Sequence, residues 1–141
     1  MANIVPDSFK TNLLKSTFNF DSSGGSTFKL ALYTSSASSL ADYTIYAVTN
    51  EASGSGYTAG GTTLSGGTVS TSGTTAYADF TADATFTSVT ITARYALIYN
   101  SSESNKACFF LDFGADKTAT NGTFTITFPS PGASALLTVT G

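Results

Sequence analysis

The chain has 141 residues, a net charge of −3, only 11% charged residues and no histidine. That is one domain's length, enough to bury a core without cross-links. Without a Lys/Arg run it lacks the electrostatic footprint of a nucleic-acid binder, and without histidine it lacks the commonest general base and metal ligand. About a third of the residues are Ser or Thr, and the aromatics are eleven Phe and seven Tyr with no Trp. Thr, Val, Ile, Phe and Tyr favour strands, while Ser and Gly favour turns. The composition therefore reads as all-β.

Met1 to Lys15 holds the one plausible helix. Pro6, Asp7 and Ser8 form a start signal, and Phe9, Leu13 and Leu14 fit one apolar stripe. So short a helix needs tertiary packing to persist, so two readings stand: a packed helix, or an arm that docks on a neighbour. Thr17 to Phe20 reads as a short strand and Asp21 to Gly25 as a turn. Thr27 to Tyr33 reads as a strand with Phe28, Leu30 and Leu32 facing in and Lys29 and Ala31 facing out. Thr34 to Asp42 is a Ser-rich loop, and Tyr43 to Val48 is a strand or an extended connection.

Asn50 to Gly61 carries four glycines in twelve residues around one aromatic, Tyr57, and reads as a long loop. Thr62 to Ser70 resumes strand character, with Gly66 and Gly67 as a bend. Ser72-Gly73 is a turn and Thr75 to Phe80 a strand.

From Val89 the apolar residues alternate: Val89, Ile91, Ala93, Tyr95, Leu97 and Tyr99. That period of two predicts a strand with these residues on one face and Arg94, Ala96 and Ile98 on the other. Asn100 to Asn105 is a polar turn. Ala107, Phe109, Leu111 and Phe113 resume the alternation, so Phe86 to Phe113 reads as one long hairpin. Gly114 to Gly122 reads as a connection and Thr123 to Phe128 as a strand with Phe124, Ile126 and Phe128 inward. Ala135 to Thr140 supplies the last strand. About eight strands with turns at this spacing predict a single domain over 1–141, a jelly-roll or Greek-key β-sandwich with one short N-terminal helix or arm.

Little here points to chemistry. Cys108 excludes an internal disulfide and lacks a histidine to activate it, so it reads as a buried apolar side chain. The pairs Asp79/Asp83 and Asp112/Asp116 could offer oxygen ligands to Ca²⁺ but follow no calcium-loop pattern, and read as solvated turn carboxylates or turn caps. The Gly-rich loop has no GK[ST] and no helix after it, so it is not a phosphate cradle. No enzyme and no cofactor are expected. The N-terminus lacks a signal-peptide succession and no apolar run approaches a membrane span, so synthesis in the cytoplasm and no membrane partner are expected.

Arg94 is the lone cation of the long strand. It reads as a surface charge or as one half of an ion pair across a subunit boundary, where its planar fork is favoured. Ala96 and Ile98 make its face apolar, and an apolar outer face needs a covering element or a second subunit.

Three stretches look familiar together: PDSFKTNLLKSTFNF, STFKLALYTSSAS and NEASGSGYTAGGTTLSGG. ARYALIYNSS, LDFGADK and TFTITFP extend the likeness over nearly the whole chain. In the order and spacing of these stretches the chain resembles the capsid cement (decoration) proteins of tailed, short-tailed bacteriophages, that of a Bordetella phage among them. The resemblance implies a jelly roll on the outside of an icosahedral shell. It also implies homodimers that bridge neighbouring major capsid proteins. Contact residues do not transfer by motif, so Phe9, Leu13, Tyr57 and Arg94 are interface candidates on physical grounds alone. Two other readings stand beside it: a tail-adaptor, neck or head-fibre part of the virion, and a carbohydrate-binding β-sandwich using Tyr43, Tyr46, Tyr57 and Tyr77.

Overall fold

The computed structural model describes residues 3–141; Met1 and Ala2, the start of the expected helix or arm, lie outside the described residues. In chain order these form β1 (Asn3–Ile4), α1 (Asp7–Leu14), β2 (Phe28–Tyr33), a 3₁₀ turn (Leu40–Asp42), β3 (Thr62–Thr63), β4 (Gly67–Ser72), β5 (Thr75–Phe80), β6 (Ala84–Asn100), β7 (Lys106–Ile126) and β8 (Leu137–Thr140). All pairings are antiparallel. One sheet has the order β1-β7-β6-β2-β3 and the other the order β4-β5-β8. The chain is thus mostly β, with two antiparallel sheets and one short helix. Among the described residues no helix is long and apolar enough to cross a membrane.

The hairpin β6–β7 dominates the larger sheet, and it departs from simple alternation in three places. The expected connection at Gly114 to Gly122 is instead part of one continuous strand, β7. Its register explains the misreading. Ala93 pairs with Lys117 but Tyr95 pairs with Asp112, so residues 113–116 bulge out against Arg94 alone. Gly114 serves that bulge with φ +82°. A second irregularity pairs Ile98 with Phe109 and Tyr99 with Ala107, leaving Cys108 as the extra residue. Cys108 is buried, as expected.

The third departure is in facing. The predicted common face from Val89 to Tyr99 does not exist, because the phase switches at Arg94 and Tyr95. Val89, Ile91, Ala93, Ala96 and Ile98 enter the core between the sheets. Leu97 and Tyr99 pack on the opposite side, with Tyr95 against them. The switch coincides with the bulge: β6 passes it with Arg94 alone between Ala93 and Tyr95, and its two faces exchange there.

At its base the larger sheet is therefore buried on both faces. Between the sheets lie Phe28, Leu30 and Leu32 of β2, Ala78 and Phe80 of β5, and Phe109 and Leu111 of β7. Ala31 was expected to face solvent. It is instead buried on the outer side with Tyr33, Leu97, Tyr99, Ala107 and Phe110, under Ala37 and Leu40. The loop from Thr34 to Asn50 supplies that cover, and Tyr43 and Tyr46 belong to it. The Tyr43–Val48 segment forms no strand and contributes one bridge, Ile45 to Lys106.

The helix folds onto its own chain. Asp7 opens its first turn after Pro6, and Ser16, at φ +59°, ends it. Phe9 is 1% exposed and packs at 4.9 Å (ring centroids) from Phe18 and 5.8 Å from Phe109. Thr17 to Phe20 is not a strand, but it delivers Phe18 and Phe20 to the core, where Phe20 stacks on Phe28 at 4.5 Å. Leu14 leaves the expected stripe and stands 89% exposed. Eight residues cannot hold a helix by hydrogen bonds alone, so Phe9 is its anchor. Phe9→Ala is expected to destabilise the fold by about 3–5 kcal/mol and Leu14→Ala by less than about 0.5 kcal/mol, both read from urea unfolding.

Candidate interaction surface

The four residues singled out from sequence do not converge on one site. Phe9 is sealed in the core and is not available to a partner. Leu13 is half-buried and lines a surface groove. Tyr57 and Arg94 belong to internal networks.

Tyr57 pins the Gly-rich loop to the larger sheet. Its hydroxyl donates to Glu51 Oε1 at 2.8 Å and accepts from the Leu32 N–H at 2.9 Å. The same carboxylate accepts from Tyr46 at 2.6 Å and from the Gly60 N–H at 2.7 Å. Tyr99 donates to the Gly60 carbonyl at 2.7 Å, and Tyr33 donates to that of Ala47. Gly61 shows why glycine is needed here: it lies at φ +73°, and a Cβ would strike the Leu30 carbonyl. Burial, with the Glu51 carboxylate beside it, raises the Tyr57 phenol well above its ordinary range. Burial likewise pushes Tyr99 up to about 12. Tyr33, Tyr46, Tyr57 and Tyr99 are therefore engaged inside the molecule, while Tyr77, half-buried in β5, lies outside this network.

Arg94 is paired within its own chain, with a partner that neither of its two sequence readings named. Nε donates to Asp112 Oδ1 at 2.7 Å, and the guanidinium carbon lies 5.4 Å from the Tyr95 ring centroid. It is therefore not on the face opposite Tyr95. The β7 bulge that opens at residue 113 lets Asp112 reach it, and the Gly114 N–H adds a bond to Asp112 Oδ1 at 2.8 Å. The hydrogen bond from Arg94, reinforced by that of Gly114, holds the Asp112 carboxyl below the ordinary range.

Asp79 and Asp83 also serve the fold. Asp79 was expected to be a solvated turn residue or turn cap but is fully buried in β5. It accepts from the N–H of Phe80 at 2.8 Å and of Leu136 at 3.4 Å. Burial raises its carboxyl above the ordinary range against those two bonds. Asp83 accepts from Thr127 and from the Phe128 N–H, both at 3.3 Å. Among the described residues no three His, Cys, Asp or Glu side chains gather as a metal site.

One surface feature without an internal role is a groove between α1 and the smaller sheet, of about 570 Å³; a second hollow, of about 420 Å³, lies along β7 beside Phe113, Phe124 and Ile126. Leu13, Leu14, Phe18 and Phe20 form one wall of the groove, and Val69, Ala76, Ala78, Leu137 and Val139 form the other. Pairing explains the second wall. Val69 lies opposite Ala78, Ala78 opposite Leu137, and Ala76 opposite Val139. These side chains make rows on the sheet face that carries Phe80 into the core. At Phe80 and Ala78 the face is buried, but toward Ala76 it overhangs, leaving Val69 50% and Val139 61% exposed. With Leu14, three of the largest exposed apolar side chains flank one groove. Sequence reasoning found Leu13 and Leu14 through helical spacing. It missed Val69 and Val139 because an exposed and a buried valine look alike in an alternating strand.

Comparison of the chain with protein-family models, with curated proteins and with solved structures finds no match in any of the three.

Two outcomes are expected. Tyr57→Phe removes a donor to Glu51 and the acceptor of the Leu32 N–H. It should cost about 1–3 kcal/mol and speed amide exchange across residues 50–61. In Arg94→Met, a carbon-detected titration should find the Asp112 carboxyl moved up toward its ordinary value. In the native protein the stability contributed by this pair is present above the ordinary carboxylate range and is lost as pH falls through the depressed value. Arg94→Met should remove that part of the acid-side dependence.

Proposed function

We propose that this chain is a structural protein of a tailed-bacteriophage virion, a capsid cement (decoration) protein. It would bind the outside of the icosahedral shell, clamp neighbouring major capsid proteins and act as a homodimer. The observation that carries the reading is the apolar groove between α1 and the smaller sheet. It gathers Leu14, Val69 and Val139, three of the large apolar side chains that internal packing leaves exposed, and exposed apolar patches of this kind mark protein contacts.

Other features support the same reading. The stretch PDSFKTNLLKSTFNF, first of those that resemble cement proteins, folds as α1 and the leg that delivers Phe18 and Phe20, and so builds one wall of the groove. Glu51, Asp79, Asp83 and Asp112 all act as hydrogen-bond acceptors within the fold, which suits a clamp better than a catalyst. The chain crosses between the sheets from β3 to β4, from β5 to β6 and from β7 to β8. Those crossings favour the finer assignment of the sandwich as a jelly roll or Greek key.

The mechanism is mass action. A protein that binds the assembled shell and not its free subunits stabilises the shell by RT ln(1 + [L]/Kd) at every site. Each contact can be weak, because a lattice repeats it and a dimer engages two subunits at once. A groove with a half-exposed rim suits that regime.

Copy number per virion, by quantitative mass spectrometry against the major capsid protein, tests the reading. A ratio near one to one supports cement. About a dozen copies or fewer indicates the cyclic symmetry of a vertex or tail and moves the assignment to an adaptor, neck or fibre part. Absence from the virion overturns it. On purified shells, Leu14→Lys is expected to lower affinity about tenfold or more, a loss of at least about 1.4 kcal/mol. Its melting temperature should stay unchanged, since the side chain is solvent-exposed and a cation suits a helix C-terminus.

A further inference from the structure

We propose that the open edge of β8 seats a second copy of this chain, antiparallel, joining two three-stranded sheets into one six-stranded sheet across a two-fold axis. The inference gives the groove face its second partner and rests on that face being a contact surface.

The argument starts from charge. Sixteen residues make up β4, β5 and β8, and Asp79, fully buried, is the charged one among them. Natural edge strands are commonly guarded by charges, proline or bulges. β8, with sequence LTVT, has none of these, and among the described residues it pairs only with β5.

The other long open edge fails the same test. β1 covers β7 only at Phe110 and Leu111, so the stretch beyond is unpaired on that side. It carries Asp112, Asp116 and Lys117 and bulges at 113–116. Two identical antiparallel strands related by a two-fold axis place residues of equal parity opposite each other, because directly opposed side chains share a face. Asp112 and Asp116 have one parity and Lys117 the other. Self-pairing there never makes an ion pair, and centred on Gly114 it sets Asp112 against Asp116. At β8 the same rule is harmless. Centred on Val139, it pairs Val139 with its own copy and Thr138 with Thr140 of the second chain. The β5 side already holds such a contact, Thr75 Oγ1 to Thr140 Oγ1 at 3.0 Å.

Access decides between the two edges of the smaller sheet. β4 is walled at its start, where the Ser22 N–H bonds the Gly67 carbonyl at 3.0 Å. The Phe20 carbonyl lies against Gly67 as well. β8 has no such wall. A second copy there continues the overhang formed by Ala76 and Val139 and covers the exposed valine. Four strand residues and a valine strip make a small interface, so the dimer belongs at micromolar strength.

Sedimentation velocity of the full chain from about 1 to 200 µM tests the proposal without any shell. Its failure would remove the homodimer from the cement reading but leave shell binding itself standing, because copy number decides that separately. The expected result is a concentration-dependent dimer. Val139→Lys sets two ammonium groups opposite each other and should weaken it about tenfold or more. Val139→Cys should form an intermolecular disulfide with glutathione disulfide as oxidant, because directly opposed strand residues meet the required Cα spacing of about 4.4–6.8 Å. Cys108, buried, serves as the unreactive control in the native chain. A monomer throughout the range overturns the proposal. So does a dimer that tolerates Val139→Lys while Val139→Cys gives no cross-link, since that locates the contact elsewhere or with another kind of partner.

Discussion

Burial of the larger sheet on both faces is the constraint from which the rest of the structure follows. At the base of the β6–β7 hairpin, Ala96, Leu97, Ile98, Tyr99 and Asn100 are consecutive buried residues. A strand that is apolar on both sides must be covered twice. The smaller sheet and the Phe9–Phe18–Phe20 group cover one side. The loop from Thr34 to Asn50 covers the other, using Leu40, Tyr43 and Tyr46. A loop makes a poor lid unless its polar atoms are satisfied, because each unpaired buried donor costs about 1–3 kcal/mol. The tyrosine hydroxyls meet that need, through Glu51 and the carbonyls of Ala47 and Gly60. No buried side-chain polar atom among the described residues lacks a partner.

The same constraint gives Tyr33, Tyr46, Tyr57 and Tyr99 a structural role. Tyr33 and Phe110 meet edge to face at 5.5 Å, and Tyr46 stacks on Tyr99 at 4.8 Å. Their apolar bodies form the outer core while their hydroxyls tie the loops down. Aromatic residues in loops are an ambiguous signal in sequence, because a packing tyrosine and a sugar-stacking tyrosine share a composition. For Tyr33, Tyr46, Tyr57 and Tyr99 the hydrogen-bond partners decide, since these hydroxyls are directed at a backbone group or at Glu51.

Much of the fold was legible from residue pattern. The all-β character, the central hairpin with its turn at Asn100–Asn105, the short helix near Pro6, the Gly-rich loop and the inward set Phe124, Ile126 and Phe128 all appear as read. The failures share one physical cause. Period-two reasoning assumes constant phase, and four register irregularities, two flanking Val89 and one each at Arg94 and Cys108, break it. Ser88 at φ +53° illustrates the difficulty, because serine is unremarkable in a strand and nothing local announces its left-handed conformation. Ala31 was misplaced for a different reason: the sequence of β2 does not reveal that a distant loop returns to cover its second face. At the surface, helical spacing identified Leu13 but could not separate Phe9, which fills the core, from Leu14, which does not.

Asp79 connects the inner packing with the outer groove. A carboxylate fully buried in a sheet that is otherwise neutral is costly, and its pKa is raised by that burial. Because its folded pKa lies above the unfolded value, folding is favoured by its protonation and loses that contribution as pH rises through the interval between them. The residue therefore weakens the fold at neutral pH and needs another reason to be present. Its position supplies one. Oδ1 is held by the N–H of Phe80, whose ring packs at 5.6 Å from Phe128, and Oδ2 takes the N–H of Leu136, just before β8 begins. One side chain thus fixes the start of the four-residue edge strand relative to the core. Without that tether β8 would be held by its pairing with β5 alone, and the exposed rows of Ala76 and Val139 would lose their definition. A contact surface built on so short a strand has to be positioned from inside, and a buried acceptor for a backbone N–H at its entry does this without placing charge on the surface.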